Sequence, residues 1–149
     1  MILVWRFFVI VFAFGCASLA AAATIVIGAV ATANFQPPFD QPEVTLLWVM
    51  TLATSFGVAF FAFLPALIAI LLAENFAWRS VLFYALAGAA IGLFYGFVLP
   101  TEGPSPFYVA RSTDLIAGAG IAAGLVYWLI AGRNAGAWRA DAPATSDSR

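Results

Sequence analysis

The sequence predicts an all-α integral membrane protein, a four-helix antiparallel bundle with both termini on the cytoplasmic side and a kinked second helix. Four long apolar runs lie at about residues 7–33, 45–72, 81–99 and 113–130. Each is close to or above the roughly 20 residues that a helix needs to cross a bilayer. The six arginines and seven carboxylates all lie at run ends, in connections or in the tail. We therefore expect a four-span domain over residues 1–132.

Arginine placement predicts the orientation, because short cytoplasmic connections carry an excess of basic residues. With the N-terminus in the cytoplasm, five of the six arginines lie inside and only Arg111 lies outside. We therefore expect both termini to be cytoplasmic, in a bacterial inner membrane. Residues 133–149 are rich in Ser, Thr and Asp and contain Pro143. Such a segment has too little apolar surface to fold, so a disordered cytoplasmic tail is expected.

The first run follows Trp5 and Arg6, two residue types that suit the headgroup level of a membrane. Its beginning resembles a signal peptide, with a short apolar stretch followed by small residues. The apolar part of a signal peptide is only about 7–15 residues long. Here the run continues to residue 33 without a polar start of a mature chain. We therefore expect an uncleaved first span.

The second run contains a proline and a row of alanines. Pro65 has no backbone N–H, and its ring clashes with the preceding turn. A kink is therefore expected near residues 61–65. Ala62 and Ala66 belong to a row of alanines spaced three and four residues apart. Small residues on one helical face allow close approach of another helix, so this row predicts a packing face.

A row of aromatic residues lies about 100° around the same helix from the alanines. It consists of Phe56, Phe60 and Phe63, continues at Leu67, and has Phe61 nearby. Such a row ordinarily faces lipid or fills the space beside glycines on a neighbouring helix. The alternative is that it lines a groove for a quinone, a carotenoid or an acyl chain.

Glycines at four-residue spacing mark the third and fourth runs. Gly88, Gly92 and Gly96 form two overlapping GxxxG units, and Gly120 and Gly124 form another. Because glycine lets two backbones approach closely, these faces are predicted helix-packing surfaces. Packing inside the chain is the commoner use of such faces, and an outward oligomer interface is the alternative.

Six of the eight prolines lie in the two predicted outer connections, which are also aromatic and acidic. Rigid segments of this kind lose little entropy on binding, so we interpret them as docking surfaces. Three carboxylates, Asp40, Glu43 and Glu102, lie on the same side. Such loop carboxylates are ordinarily just solvated, and the alternative is that the three together bind a hard cation. The candidate docking residues are Pro37, Pro38, Phe39, Pro104, Pro106 and Phe107.

The composition excludes several kinds of chemistry. The chain has no histidine and no lysine, and Cys16 is its single cysteine. It therefore lacks imidazole ligands, Schiff-base amines and the usual nucleophile–base pairs. We predict no catalytic residue, no metal site and no cofactor. The net charge of −1 also gives no reason to expect a nucleic acid partner.

These observations favour a non-catalytic accessory, assembly or scaffold subunit. It would pack against another membrane protein, or against copies of itself, through its small-residue faces and outer connections, with membrane lipid around it. The alternatives are a small oligomeric transporter or channel, or a carrier of an apolar ligand such as a lipid or quinone. An ion transporter usually carries an ionisable group inside the membrane, and none of the four runs has a charged residue away from its ends.

Overall fold

The computed structural model describes residues 2–32, 40–98 and 113–135, and the described residues form four α-helices and one 3₁₀ turn. The helices are α1 (Ile2–Thr32), α2 (Gln41–Phe76), α3 (Val81–Val98) and α4 (Thr113–Ile130), and the 3₁₀ turn is Gly132–Asn134. The predicted all-helical architecture is confirmed. The candidate docking residues, Glu102, Arg111 and tail residues 136–149 lie outside the described residues.

Among the described helices, α1, α2 and α3 are long and apolar enough to cross a membrane. The apolar part of α4, Asp114–Ile130, is shorter. An α-helix must satisfy its own backbone hydrogen bonds in lipid, where no water replaces them. Long apolar helices therefore identify this chain as an integral membrane protein.

Both ends of α2 are capped outside its apolar run. The backbone N–H of Asp40 donates to Glu43 Oε2 at 3.0 Å, which is one half of a capping box. At the other end Ala77 adopts a left-handed conformation with φ 52°, and the Trp78 N–H donates to the Ala73 carbonyl at 2.9 Å. The 36-residue helix is about 54 Å long, so it extends beyond the roughly 30 Å hydrocarbon layer.

Small residues fill the interior and large ones lie on the surface. The buried apolar residues are alanines together with Tyr84 and Tyr127. In contrast, Trp5 is 72% exposed and Phe60 is 79% exposed. This distribution suits a membrane, where large apolar side chains gain nothing by leaving lipid and small ones let helices approach.

The helices do not pack evenly. α3 and α4 form the most extensive interface, and α1 packs on both α4 and α2. α2 contacts α3 at only a few places. We call α1, α3 and α4 the three-helix unit, because α2 is held to it mainly through α1.

Candidate functional site

The glycines of α3 and α4 face one another. A Cβ added to Gly88 would overlap the carbonyl oxygen of Gly120, and one added to Gly120 would overlap that of Gly88. A Cβ on Gly92 would lie 2.5 Å from the Ile116 carbonyl oxygen, and one on Gly124 would overlap the Tyr84 carbonyl. The structure therefore places these glycine faces inside the chain. Gly96 lies near the end of α3 and is half-buried.

One end of the molecule is tied together by charged groups. The Arg6 guanidinium of α1 forms a 2.5 Å ion pair with Glu74 Oε1 of α2, and its Nε donates to the same oxygen at 3.1 Å. Arg6 also donates to the Ala131 carbonyl, just beyond α4, at 2.9 Å. Both side chains are only 16% exposed. We call this the latch end, and the opposite end, where α2 and α4 begin, the open end.

Further contacts at the latch end involve the connection between α2 and α3. Arg79 Nε donates to the Ala135 carbonyl at 3.0 Å, and Trp128 Nε1 donates to the Arg79 carbonyl at 2.8 Å. The Arg133 guanidinium lies 6.0 Å from the centre of the Trp128 ring. These contacts join the end of α4 to the start of α3.

A buried apolar cluster lies beneath the latch-end contacts. All four helices contribute, and two tyrosine rings, Tyr84 and Tyr127, fill the space between them with centroids 5.6 Å apart. The latch end is therefore closed by both packing and polar contacts. Besides the tyrosines, the members of the cluster are Ala13, Ala17, Ala73 and Ala131.

Toward the open end the helices separate around a cavity of about 820 Å³. Side chains from all four helices line it, and the lining is almost wholly apolar. Its described polar groups are mainly hydroxyls, with Glu43 the one described carboxylate in the wall. Ser18, one of these hydroxyl residues, already donates to the Phe14 carbonyl at 2.9 Å. The cavity is thus an apolar chamber without a charged centre.

The predicted alanine face of α2 forms part of this wall. Ala62 and Ala66 line the cavity, as do the four glycines that join α3 and α4. Most of the aromatic row does not: Phe56 and Phe60 are 76% and 79% exposed on the outer surface. Of the phenylalanines in this part of α2, only Phe61 lines the chamber. Phe56, Phe60 and Phe63 line a separate groove together with Phe14. The predicted aromatic groove is therefore not the cavity.

Pro65 leaves one backbone carbonyl of α2 without its usual donor, and a side chain of a neighbouring helix supplies one. In a regular helix the N–H of residue 65 would donate to the carbonyl of Phe61, and proline has no such N–H. The Tyr95 hydroxyl of α3 donates to that carbonyl instead. The Phe61 and Tyr95 rings also lie with centroids 6.0 Å apart. This contact bridges α2 and α3 where they otherwise touch little.

Sequence reasoning missed Tyr95 and the Arg6–Glu74 ion pair. Pro65 signals that the Phe61 carbonyl needs a donor, but it does not say which residue supplies it. Two of the three carboxylates of the candidate cation site, Asp40 and Glu43, have another role, because they cap the start of α2.

The cavity accommodates an apolar chain better than a polar reactant. Ligand pockets typically have volumes of about 300–1,000 Å³ and few polar groups, and this chamber lies in that range. No histidine or lysine exists anywhere in the chain to supply an ordinary proton-transfer group. Comparisons with protein-family models, curated proteins and solved structures find no match to this chain.

Proposed function

We propose that the chain forms a four-span antiparallel bundle with both termini in the cytoplasm of a bacterial cell. α4 lies beside α3 from Gly124 against Tyr84 to Ile116 against Gly92, so the two helices run in opposite directions and reach similar depths. The three described arginines, Arg6, Arg79 and Arg133, all lie at the latch end. The excess of basic residues on the cytoplasmic side supports placing that end inside. A kink of α2 at Pro65 belongs to the same proposal.

We further propose that this bundle is a non-catalytic protein that binds one apolar chain, such as the acyl or isoprenoid tail of a membrane lipid. The observation that carries this proposal is the apolar cavity of about 820 Å³ between α2 and the three-helix unit. An apolar cavity is a poor site for water, which needs two to four polar partners. In a bilayer the surrounding molecules that can fill it are lipid chains.

The glycine contacts favour this function over the accessory subunit predicted from the sequence. Gly88, Gly92, Gly120 and Gly124 are used between α3 and α4, so they are not free to receive a partner helix. Ala62 and Ala66 of α2 line the cavity. A chain-shaped ligand fills that space without any rearrangement of the α3–α4 pair.

The accessory subunit remains a second candidate, supported by the loose attachment of α2. Because α2 touches α3 at few places, a helix from another membrane protein or from a second copy would have access to the same alanine face. The two functions differ in what co-purifies with the chain. A lipid binder carries lipid at a fixed ratio, whereas an accessory subunit carries a stoichiometric protein.

Native mass spectrometry of protein extracted with its lipids tests the proposal. We expect one retained lipid for each chain in the wild type and a large loss of it in Ala66→Trp, which fills the cavity. Ile68→Trp is the matched control, since Ile68 lies two residues away and is 55% exposed. Equal lipid retention in both variants would contradict cavity binding. A stoichiometric protein in place of lipid would favour the accessory subunit.

A further inference from the structure

Where α2 and α3 meet beside the cavity, the two helices make few contacts. We propose that the hydrogen bond from the Tyr95 hydroxyl to the Phe61 carbonyl is a lateral gate through which the apolar chain enters and leaves between α2 and α3. The inference rests on the proposed function, because a gate requires a ligand in the cavity. Tyr95 thereby controls the rate of exchange.

The chemistry of Pro65 explains why this bond forms. The proline leaves the Phe61 carbonyl without its usual backbone donor. In a hydrocarbon environment an unpaired carbonyl is costly, since no water can replace the missing donor. The Tyr95 hydroxyl supplies the donor, so it favours the closed arrangement of α2 against α3. Loss of this bond and of the adjoining Phe61–Tyr95 ring contact separates the two helices at this level.

The packing explains why the gate lies at this side of the cavity. Phe61 and Tyr95 both line the chamber, from α2 and α3 respectively. Elsewhere these two helices make few contacts, whereas α1 and α4 pack closely with their neighbours. The Arg6–Glu74 ion pair holds α2 at the latch end. α2 can therefore move away from α3 by rotating about its interface with α1, while the three-helix unit stays intact.

Lateral access also suits the ligand. An apolar chain already resides in the lipid that surrounds the helices, so it need not pass through water to reach the cavity. The neighbouring Phe60 and Phe94 rings are 79% and 57% exposed beside the gate. Their exposed faces present an apolar surface along which a chain can slide into the opening.

Tyr95→Phe tests the gate because it keeps the ring and removes only the donor. Interhelical hydrogen bonds in membranes have modest strength, so we expect release of the bound chain to become about three- to tenfold faster. The probe is a phosphatidylcholine with a pyrene-labelled acyl chain, bound to the full chain in mild detergent. Its release into excess unlabelled lipid is followed by stopped-flow fluorescence.

The control is Thr51→Val, which removes from α2 a hydroxyl that donates to the Leu47 carbonyl of the same helix and does not line the cavity. We expect its release rate to match that of the wild type. Equal release from Tyr95→Phe and wild type would overturn the gate while leaving lipid binding in place. Equal acceleration in both variants would also overturn it. If the wild type binds no probe at all, the proposed function fails, and the gate with it.

If Tyr95→Phe does not accumulate as folded protein, a second variant, Pro65→Ala, tests the same contact. Alanine at position 65 restores the backbone N–H that donates to Phe61, so the Tyr95 hydroxyl becomes dispensable. Tyr95→Phe should then accumulate in the Pro65→Ala background, with release changed less than twofold relative to Pro65→Ala alone. Failure of Pro65→Ala to rescue the variant would overturn the pairing of Tyr95 with the carbonyl that proline frees.

Discussion

The two ends of the molecule are built from the same four helices but pack differently. At the latch end the helices converge on two tyrosine rings, and Arg6 ties α1 to α2 and to the end of α4. Toward the open end α2 contacts α3 at only a few places, and a cavity lies between α2 and the other helices. Small residues therefore form a close helix–helix interface only where the backbone of another helix lies against them.

The alanine and glycine faces show the same contrast. Gly88 and Gly120 lie backbone to backbone, because neither residue has a side chain that would hold the two helices apart. Ala62 and Ala66 instead form part of the wall of the cavity. A small-residue row is therefore a packing face between one pair of helices and part of a cavity wall in another helix.

The largest effect is expected at the α3–α4 contact. Gly120→Leu should prevent accumulation of folded protein, because any side chain there would overlap the Gly88 carbonyl. Gly120→Ala should also destabilise the fold, by about 1–3 kcal/mol or more, since overpacking has costs of this size. The measurement is reversible unfolding in mixed detergent micelles.

Gly118→Ala is the matched control for this contact. Gly118 lies on the same helix two residues away, and an added Cβ would meet nothing within 4 Å. Its stability should stay within about 0.5 kcal/mol of the wild type. If Gly120→Ala and Gly118→Ala unfold alike, the close approach of α3 and α4 is wrong.

The next largest effect is expected from the ion pair at the latch end. Glu74→Gln leaves the largely buried Arg6 guanidinium without its carboxylate, and breaking a buried pair in this way costs about 3 kcal/mol. Arg6→Met with Glu74→Leu should be less destabilising than either single change, because it removes both charges. Glu43→Gln at the open end should cost less than about 1 kcal/mol. Similar losses from Glu74→Gln and Glu43→Gln would remove the distinction between the two ends.

A smaller difference should separate two alanines on one face of α2. Ala73 is fully buried at the latch end, whereas Ala66, two turns earlier, lines the cavity. Ala73→Leu should cost about 2 kcal/mol through overpacking, while Ala66→Leu should cost less than about 0.5 kcal/mol because the chamber has room. Unfolding of the two variants in the same micelles measures this difference. A larger penalty at Ala66 would show that α2 packs tightly along its whole length.

The smallest effect concerns the end of α2. Ala77 has φ 52° and ψ 38°, a left-handed conformation that costs a residue with a Cβ about 1 kcal/mol. Ala77→Gly should therefore raise the free energy of unfolding by up to about 1 kcal/mol. Ala135→Gly is the comparison, because Ala135 has an ordinary φ of −58° and should gain nothing. Destabilisation by Ala77→Gly would mean that the helix does not end in this conformation.

The helices themselves follow from the sequence because their causes are local. Long apolar runs must form helices in lipid, where each backbone group needs an internal partner. The runs at 81–99 and 113–130 predict α3 and α4 to within one residue. α1 and α2 extend further than their runs, since a polar cap such as Glu43 stabilises helical turns outside the apolar stretch.

The sequence alone also determines that close packing is available, through the glycines at 88, 92, 120 and 124, and that Pro65 frees a carbonyl. Only the tertiary structure decides the partners. Arg6 meets Glu74 across 68 residues, and Tyr95 meets Phe61 across 34. No local pattern encodes such pairs, because they depend on how four helices rotate and approach one another. The cavity is decided in the same way: its alanines are visible in the sequence, but the space beside them depends on how the helices are arranged.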